Sequence, residues 1–251
     1  MNREATDLAG VRHIVYETLG STNAEALSLA RAGDRGPLWI TAKAQAAGRG
    51  RRGSQWVSPP GNLYTTLLLT EPSSASHAPQ LSFVAALALH DGIAACAPQI
   101  GPLLKLKWPN DLLVEQAKVA GILIEGESEQ TFAVAVGIGV NCGSHPSNTT
   151  YPAVDLAAAG AVVTPEALLV YLSAAMRERL KQWNRGEGFA AVRTDWLKRA
   201  AGLGEALRVR LPEREVAGRF QGLDDAGRLL LEQAGGVIAV TAGEVFGFGG
   251  R

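Results

Sequence analysis

Gly48-Arg49-Gly50-Arg51-Arg52-Gly53 places three guanidinium groups on a short backbone segment that its glycines leave free to bend. No acidic residue occurs from Arg35 to Thr70, although Arg35 and Lys43 add further positive charge there. A cationic loop without an internal counter-ion suits an anionic ligand. A solvated surface loop is the other reading of the same residues. Further along, Lys107-Trp108-Pro109-Asn110-Asp111 and Lys118 add two ammonium groups, an amide and a carboxylate. Cations and amides of this kind point to phosphate and acyl-phosphate chemistry, where positioning and charge neutralisation supply most of the rate.

Other chemistries lack their parts. Gly48, Gly50 and Gly53 have the G-x-G-x-x-G spacing of a dinucleotide site, and Glu71 follows where a ribose-binding acid would stand. That site needs a helix opening at the last glycine, and Pro59-Pro60 interrupt the segment where it would run. No Lys-Ser/Thr follows the glycines as a phosphate-binding P-loop requires. The four histidines are scattered, the two cysteines lie far apart, and no G-x-S-x-G elbow is present.

The elements that position these groups follow from periodicity. Strands are expected at Val11–Glu17, Leu38–Lys43, Leu63–Leu69, Leu103–Trp108, Leu112–Val114, Val119–Glu125 and Thr131–Asn141. A helix from Ser21 to about Ala32 carries a capping box in Thr22-Asn23-Ala24-Glu25 and stops at Gly33. Helices are also expected from Pro79, from Thr164 to Trp183 and over Phe189–Arg199. In the 131–141 strand one face is Phe132, Val134, Val136, Ile138 and Val140. The other is Ala133, Ala135, Gly137, Gly139 and Asn141, bare enough for a flat ligand or for a closely packed helix. After residue 202 the chain turns to short strands and turns, so 1–202 is expected as a ligand-binding α+β domain and 203–251 as a small β-barrel.

Ser21-Thr22-Asn23, Gln45, the Gly48–Gly53 loop with Trp56, and Lys107–Asp111 occur in a distinctive order. They continue with Lys118-Val119-Ala120-Gly121-Ile122-Leu123 and Gly137-Ile138-Gly139-Val140-Asn141. In this order and spacing the chain resembles the biotin protein ligases. The resemblance implies a mixed, mostly antiparallel sheet with helices, like that of class II aminoacyl-tRNA synthetases, and an SH3-like C-terminal domain. It also implies two reactions. ATP and biotin give biotinyl-5′-AMP and pyrophosphate; a lysine of a carboxylase's biotin carboxyl carrier domain then displaces AMP.

The resemblance distributes the residues along that ligand. Biotin falls to Ser21, Thr22, Asn23, Gln45, Arg49, Gly50, Arg51, Lys118, Gly121, Gly137 and Gly139. ATP and the adenylate fall to Arg49, Arg51, Arg52, Trp56, Lys107, Asn110, Asp111, Lys118 and Asn141. Lys118 would hold the carboxyl oxygen and Arg49 the α-phosphate, the two catalytic assignments. Trp56 would stack on adenine, and Asp111 would contact Mg²⁺. A lipoate-type ligase or transferase of similar fold, and a non-catalytic module docking an acidic partner, are the alternatives.

Composition bounds the partners. Hydrophobic residues at 47% and charged residues at 19%, with no net charge, suit a globular chain with its own core and argue against a DNA-coating protein. Two cysteines suit a reducing, cytoplasmic setting, and no stretch is apolar enough for a membrane span. Some family members carry an N-terminal DNA-binding domain. Only twenty residues precede Ser21, and residues 205–251 hold six basic and seven acidic side chains, so no DNA binding is expected. A monomer or homodimer, with dimerisation on ligand binding, is compatible with the resemblance. No site residue is expected in the final strand after Gly243.

Overall fold

The computed structural model describes residues 3–8, 10–129, 131–147, 149 and 151–247. Eight strands form the main sheet: β1 (Arg3–Leu8), β2 (Val11–Leu19), β3 (Leu38–Gln45), β4 (Leu63–Thr70), β5 (Leu104–Lys107), β6 (Asp111–Val114), β7 (Ala117–Ser128) and β8 (Phe132–Val140). Their order is β1-β2-β3-β4-β8-β7-β6-β5. β1 had no counterpart among the strands expected from sequence. The β2–β3 pair is parallel and the other described pairs of this sheet are antiparallel. A parallel pair needs a crossover, and α1 (Thr22–Arg31) supplies it. The parallel ladder runs past the strand ends: Ala46 N–H donates to Leu19 O and Ala47 N–H to Gly20 O, both at 2.8 Å.

α1 is capped by Ser21, whose hydroxyl accepts from the Ala24 amide, rather than by the expected Thr22–Glu25 box. Thr22 is already helical, and Glu25 accepts the Tyr16 hydroxyl at 2.7 Å. That shift frees the Thr22 and Asn23 side chains for the cavity beyond.

The expected two faces of β8 are both present. Val134, Val136, Ile138 and Val140 join the larger core with α2 (Leu81–Cys96), which is buried nearly all round. Ala133 and Ala135 pack with Ala26 and Leu27 of α1 in a second cluster. α3 (Pro165–Trp183) crosses α2 closely at Gly92, and α4 (Phe189–Leu197) sets Phe189 and Trp196 edge-on to Phe83.

The C-terminal strands β9 (Ala206–Arg210), β10 (Glu215–Leu223), β11 (Leu229–Gln233), β12 (Gly236–Val240) and β13 (Glu244–Phe246) form an antiparallel sheet in the order β12-β11-β10-β9-β13. The molecule is thus α+β with a C-terminal antiparallel sheet. Leu207, Val209, Phe220, Leu229 and Leu231 belong to the same hydrophobic core as α2. Trp108 Nε1 donates to Gly227 O at 3.1 Å, tying the Lys107–Asp111 turn to that sheet.

Candidate active site

The parallel pairing sets Leu19 opposite Gln45, so the start of α1 and the arginine loop leave the sheet side by side. Between them, the glycine face of β7–β8 and the Lys107–Asp111 turn lies a cavity of about 780 Å³. Every residue that the resemblance assigns to biotin or ATP contributes to its wall. The wall has two chemically distinct ends.

The first end is neutral and dense in hydrogen bonds. Thr22 donates to Gln45 Oε1 from its backbone N–H at 2.9 Å and its hydroxyl at 3.2 Å. Gln45 Nε2 donates to Ser58 Oγ at 3.0 Å, which donates to Trp56 O at 2.8 Å. Thr66, fully buried in β4, places its hydroxyl 2.6 Å from Asn23 Oδ1 and 2.8 Å from Thr22 Oγ1. Asn23 Nδ2 donates to Leu123 O at 3.2 Å and Glu125 Oε2 at 2.8 Å.

The second end is cationic. Asp111 takes Lys118 Nζ at 2.6 Å on one oxygen and Lys107 Nζ at 3.3 Å on the other. Lys107 is 3% exposed, with its ammonium 3.6 Å from the centroid of the Tyr151 ring. Burial lowers the Lys107 pKa, with Asp111 pulling the other way. Burial also pushes the Tyr151 phenol up to about 12, keeping it neutral against the ammonium. Arg51 reaches Asn110 Oδ1 at 3.2 Å and Gly243 O at 3.3 Å, and burial lowers its pKa. Arg49 pairs with Glu125 at 3.1 Å across a half-exposed rim, where solvent limits such a pair to about 1 kcal/mol. Arg52 adopts a left-handed backbone conformation, φ 54°, and also borders the cavity.

The bare face of β8 is covered by protein side chains rather than by a packed helix alone. A Cβ on Gly137 would collide with the Asn23 carboxamide, and one on Gly139 would lie 2.6 Å from Trp56 Nε1. Trp56 therefore lies against the glycine face that was expected to receive the ligand, and its buried Nε1 has no hydrogen-bond partner. Lys118 Nζ stands 5.3 Å from the indole centroid. Asn141 donates from Nδ2 to Val154 O at 3.1 Å, holding the loop behind the wall.

One sequence expectation changes, at the final strand. Asp111, the expected Mg²⁺ contact, has Lys118 Nζ near one oxygen and Lys107 Nζ near the other, and its buried Oδ1 accepts no hydrogen bond. Among the described residues no cluster of three or more His, Cys, Asp or Glu could hold a metal ion. The final strand does reach the site: Gly243, Glu244 and Val245 line the cavity. Residues 248–251 lie outside the described ones. Sequence reasoning also missed Thr66, Glu125 and Tyr151. The register offered a signal for Glu125: Gly121 pairs Gly139, Leu123 pairs Gly137 and Glu125 pairs Ala135, so Glu125 shares the glycine face.

Fold and cavity together define an α+β domain with a C-terminal sheet and one large ligand cavity, neutral at one end and cationic at the other. Residues 18–141 match the Biotin/lipoate A/B protein ligase family, and residues 202–246 match the Biotin protein ligase C terminal domain. The chain is 46% identical to the biotin–[acetyl-CoA-carboxylase] ligase of Paracoccus denitrificans over 92% of its length and 98% of that protein. It is 34% identical to the Mycobacterium tuberculosis protein of the same name, over 92% and 87% of the two chains. The structure of a biotin protein ligase from Aquifex aeolicus in complex with biotin and ATP superposes with a TM-score of 0.79 at 25% identity, over 93% of this chain and 97% of that one. The chain belongs to the biotin protein ligase family.

Proposed function

We infer that this chain joins biotin to a lysine of a carboxylase's biotin carboxyl carrier domain at the expense of ATP. The observation that carries the reading is the single cavity in which a neutral, hydrogen-bonding end meets a cationic one. Biotin is a small, neutral ureido bicycle joined by a short chain to a carboxylate, and ATP is a polyanion. The two ends match that polarity.

The bicycle occupies the neutral end, against Ser21, Thr22, Asn23, Gln45 and Gly50, while Gly121, Gly137 and Gly139 leave room for Trp56 and Asn23 to lie close against the sheet as its floor. The carboxylate then points toward Lys118. In the first step a carboxylate oxygen attacks the α-phosphorus and pyrophosphate leaves. Two anions must meet, so fixed cations supply much of the acceleration. Lys118 and Arg49 flank the reacting groups, while Lys107, Arg51 and Arg52 neutralise the phosphates. Lys107 is held in place by Asp111 and Tyr151 without needing to move when the ligand arrives. Asn110, Asn141 and Trp56 bound the nucleoside. Any magnesium enters on the phosphates of ATP rather than in a protein cage.

In the second step the uncharged amine of the carrier lysine attacks the acyl carbon, and AMP leaves with the bonding electrons. The reading needs no protein nucleophile. No helix among the described residues is long and apolar enough to cross a membrane.

Biotin-dependent exchange of labelled pyrophosphate into ATP tests the first step. Exchange is expected with biotin and not with lipoate. Exchange with lipoate alone would establish the lipoate-type alternative, and salt-sensitive binding of an acidic partner without exchange would establish the non-catalytic one.

A further inference from the structure

We propose that Glu125 is a positioning residue that sets the biotin affinity of this site, acting through Asn23 and Arg49. The proposal rests on the ligase reading above and concerns the ring end of the cavity.

One carboxylate oxygen, Glu125 Oε2, accepts from Asn23 Nδ2 at 2.8 Å and from Arg49 Nη2 at 3.1 Å. Leu123 O also accepts from Asn23 Nδ2, at 3.2 Å. Two acceptors on one side of the carboxamide fix its amino end there. The carbonyl oxygen is thereby turned onto the backbone at Gly137, where the absence of a side chain lets it lie. Thr66 satisfies one lone pair of that oxygen. The other is left for a donor in the cavity that Asn23 lines. A ureido ring presents N–H donors, and a carbonyl cradled this way accepts one.

The charge on Glu125 matters beyond orientation. A hydrogen bond to a carboxylate is roughly twice as strong as one between neutral groups. It also polarises the amide, so that the opposite oxygen becomes a better acceptor. The same carboxylate holds Arg49, where the ring end meets the cationic end. Ring recognition and the first cation of the loop therefore share one oxygen atom. A neutral Gln at this position keeps the shape, loses the charge assistance and releases the guanidinium.

The test measures binding of biotin and of a biotin analogue in which a ring N–H is replaced by oxygen, for the wild type and Glu125→Gln. Biotin affinity is expected to fall about tenfold in Glu125→Gln, the effect of losing roughly 1.4 kcal/mol. Superposable urea denaturation curves for the two proteins report that the variant is folded. The analogue, already lacking a donor, should lose less affinity than biotin does on the substitution. Equal losses for biotin and analogue, or a lowered urea midpoint accompanying the loss, would show a general structural role and overturn the proposal. Unchanged biotin affinity would overturn it as well. A wild type that binds no biotin would instead remove the ligase reading on which it stands.

Discussion

Lys118 Nζ lies 2.6 Å from Asp111 Oδ1, while Lys107 Nζ holds the other oxygen of the same carboxylate at 3.3 Å. Asp111 is thus the internal counter-ion of two lysines that face a polyanion site. Removing it as Asp111→Asn should lower the Lys107 pKa further, because burial already lowers it and Asp111 is the opposing influence. The exchange reaction needs the charged ammonium, so its alkaline limb should move to lower pH in the variant. A pH–rate profile superposable on that of the wild type would contradict the arrangement.

Lys107 itself carries a stability cost. Its folded pKa lies below the value of an unfolded lysine, so over the window between the two the unfolded chain binds the extra proton. Stability therefore rises with pH through that window, and charged Lys107 opposes folding below it. Lys107→Met should keep or raise the Tm near neutral pH and slow exchange by about 10²-fold, the scale of losing one charge-stabilising donor. A calorimetric scan with an exchange assay on the same sample checks both halves.

The two glycines of β8 should separate the substrates. Gly137→Ala drives a methyl into the Asn23 carboxamide and is expected to raise the KM for biotin at least tenfold. Gly139→Ala pushes Trp56 off the sheet and should chiefly raise the KM for ATP, by a similar factor. A factor of ten corresponds to about 1.4 kcal/mol, modest for a displaced wall residue. Exchange kinetics with each substrate varied in turn would reveal a swapped pattern if the two ends were assigned backwards.

Trp108 joins the turn to the C-terminal sheet through its bond to Gly227 O. Trp108→Phe removes that donor from a buried contact and should lower unfolding free energy by about 1–3 kcal/mol. Urea denaturation checks this; an unchanged midpoint would mean that the bond contributes nothing to docking.

Much of this was legible in the sequence because it is local. Period-two strands, the bare face of β8 and the arginine loop each occupy consecutive residues, and the pocket gathers Arg49–Gly53 with the Gly137, Gly139 and Asn141 end of that face. What escaped is what distant segments supply. Tyr151 meets Lys107 because Ala153, two residues on, pairs with Lys118 of β7, a bridge no local pattern announces. Thr66 stood inside an apolar strand, and its hydroxyl gained meaning only when α1 was set against it. The cap of α1 was misplaced by one residue because Ser21 and Thr22 have equivalent capping chemistry. Tertiary contacts, with Tyr16 taking Glu25 and Gln45 taking Thr22, decided between them.

The ladder that continues through Ala46 and Ala47 has a temporal consequence. It pins the arginine loop up to Gly48, and the Trp56 amide returns to Gly48 O at 2.9 Å, closing a segment of only a few residues. Motions of short loops take place in nanoseconds to microseconds, against typical enzymatic turnover of about ten per second. A loop moving on that scale samples its arrangements many thousands of times in each cycle.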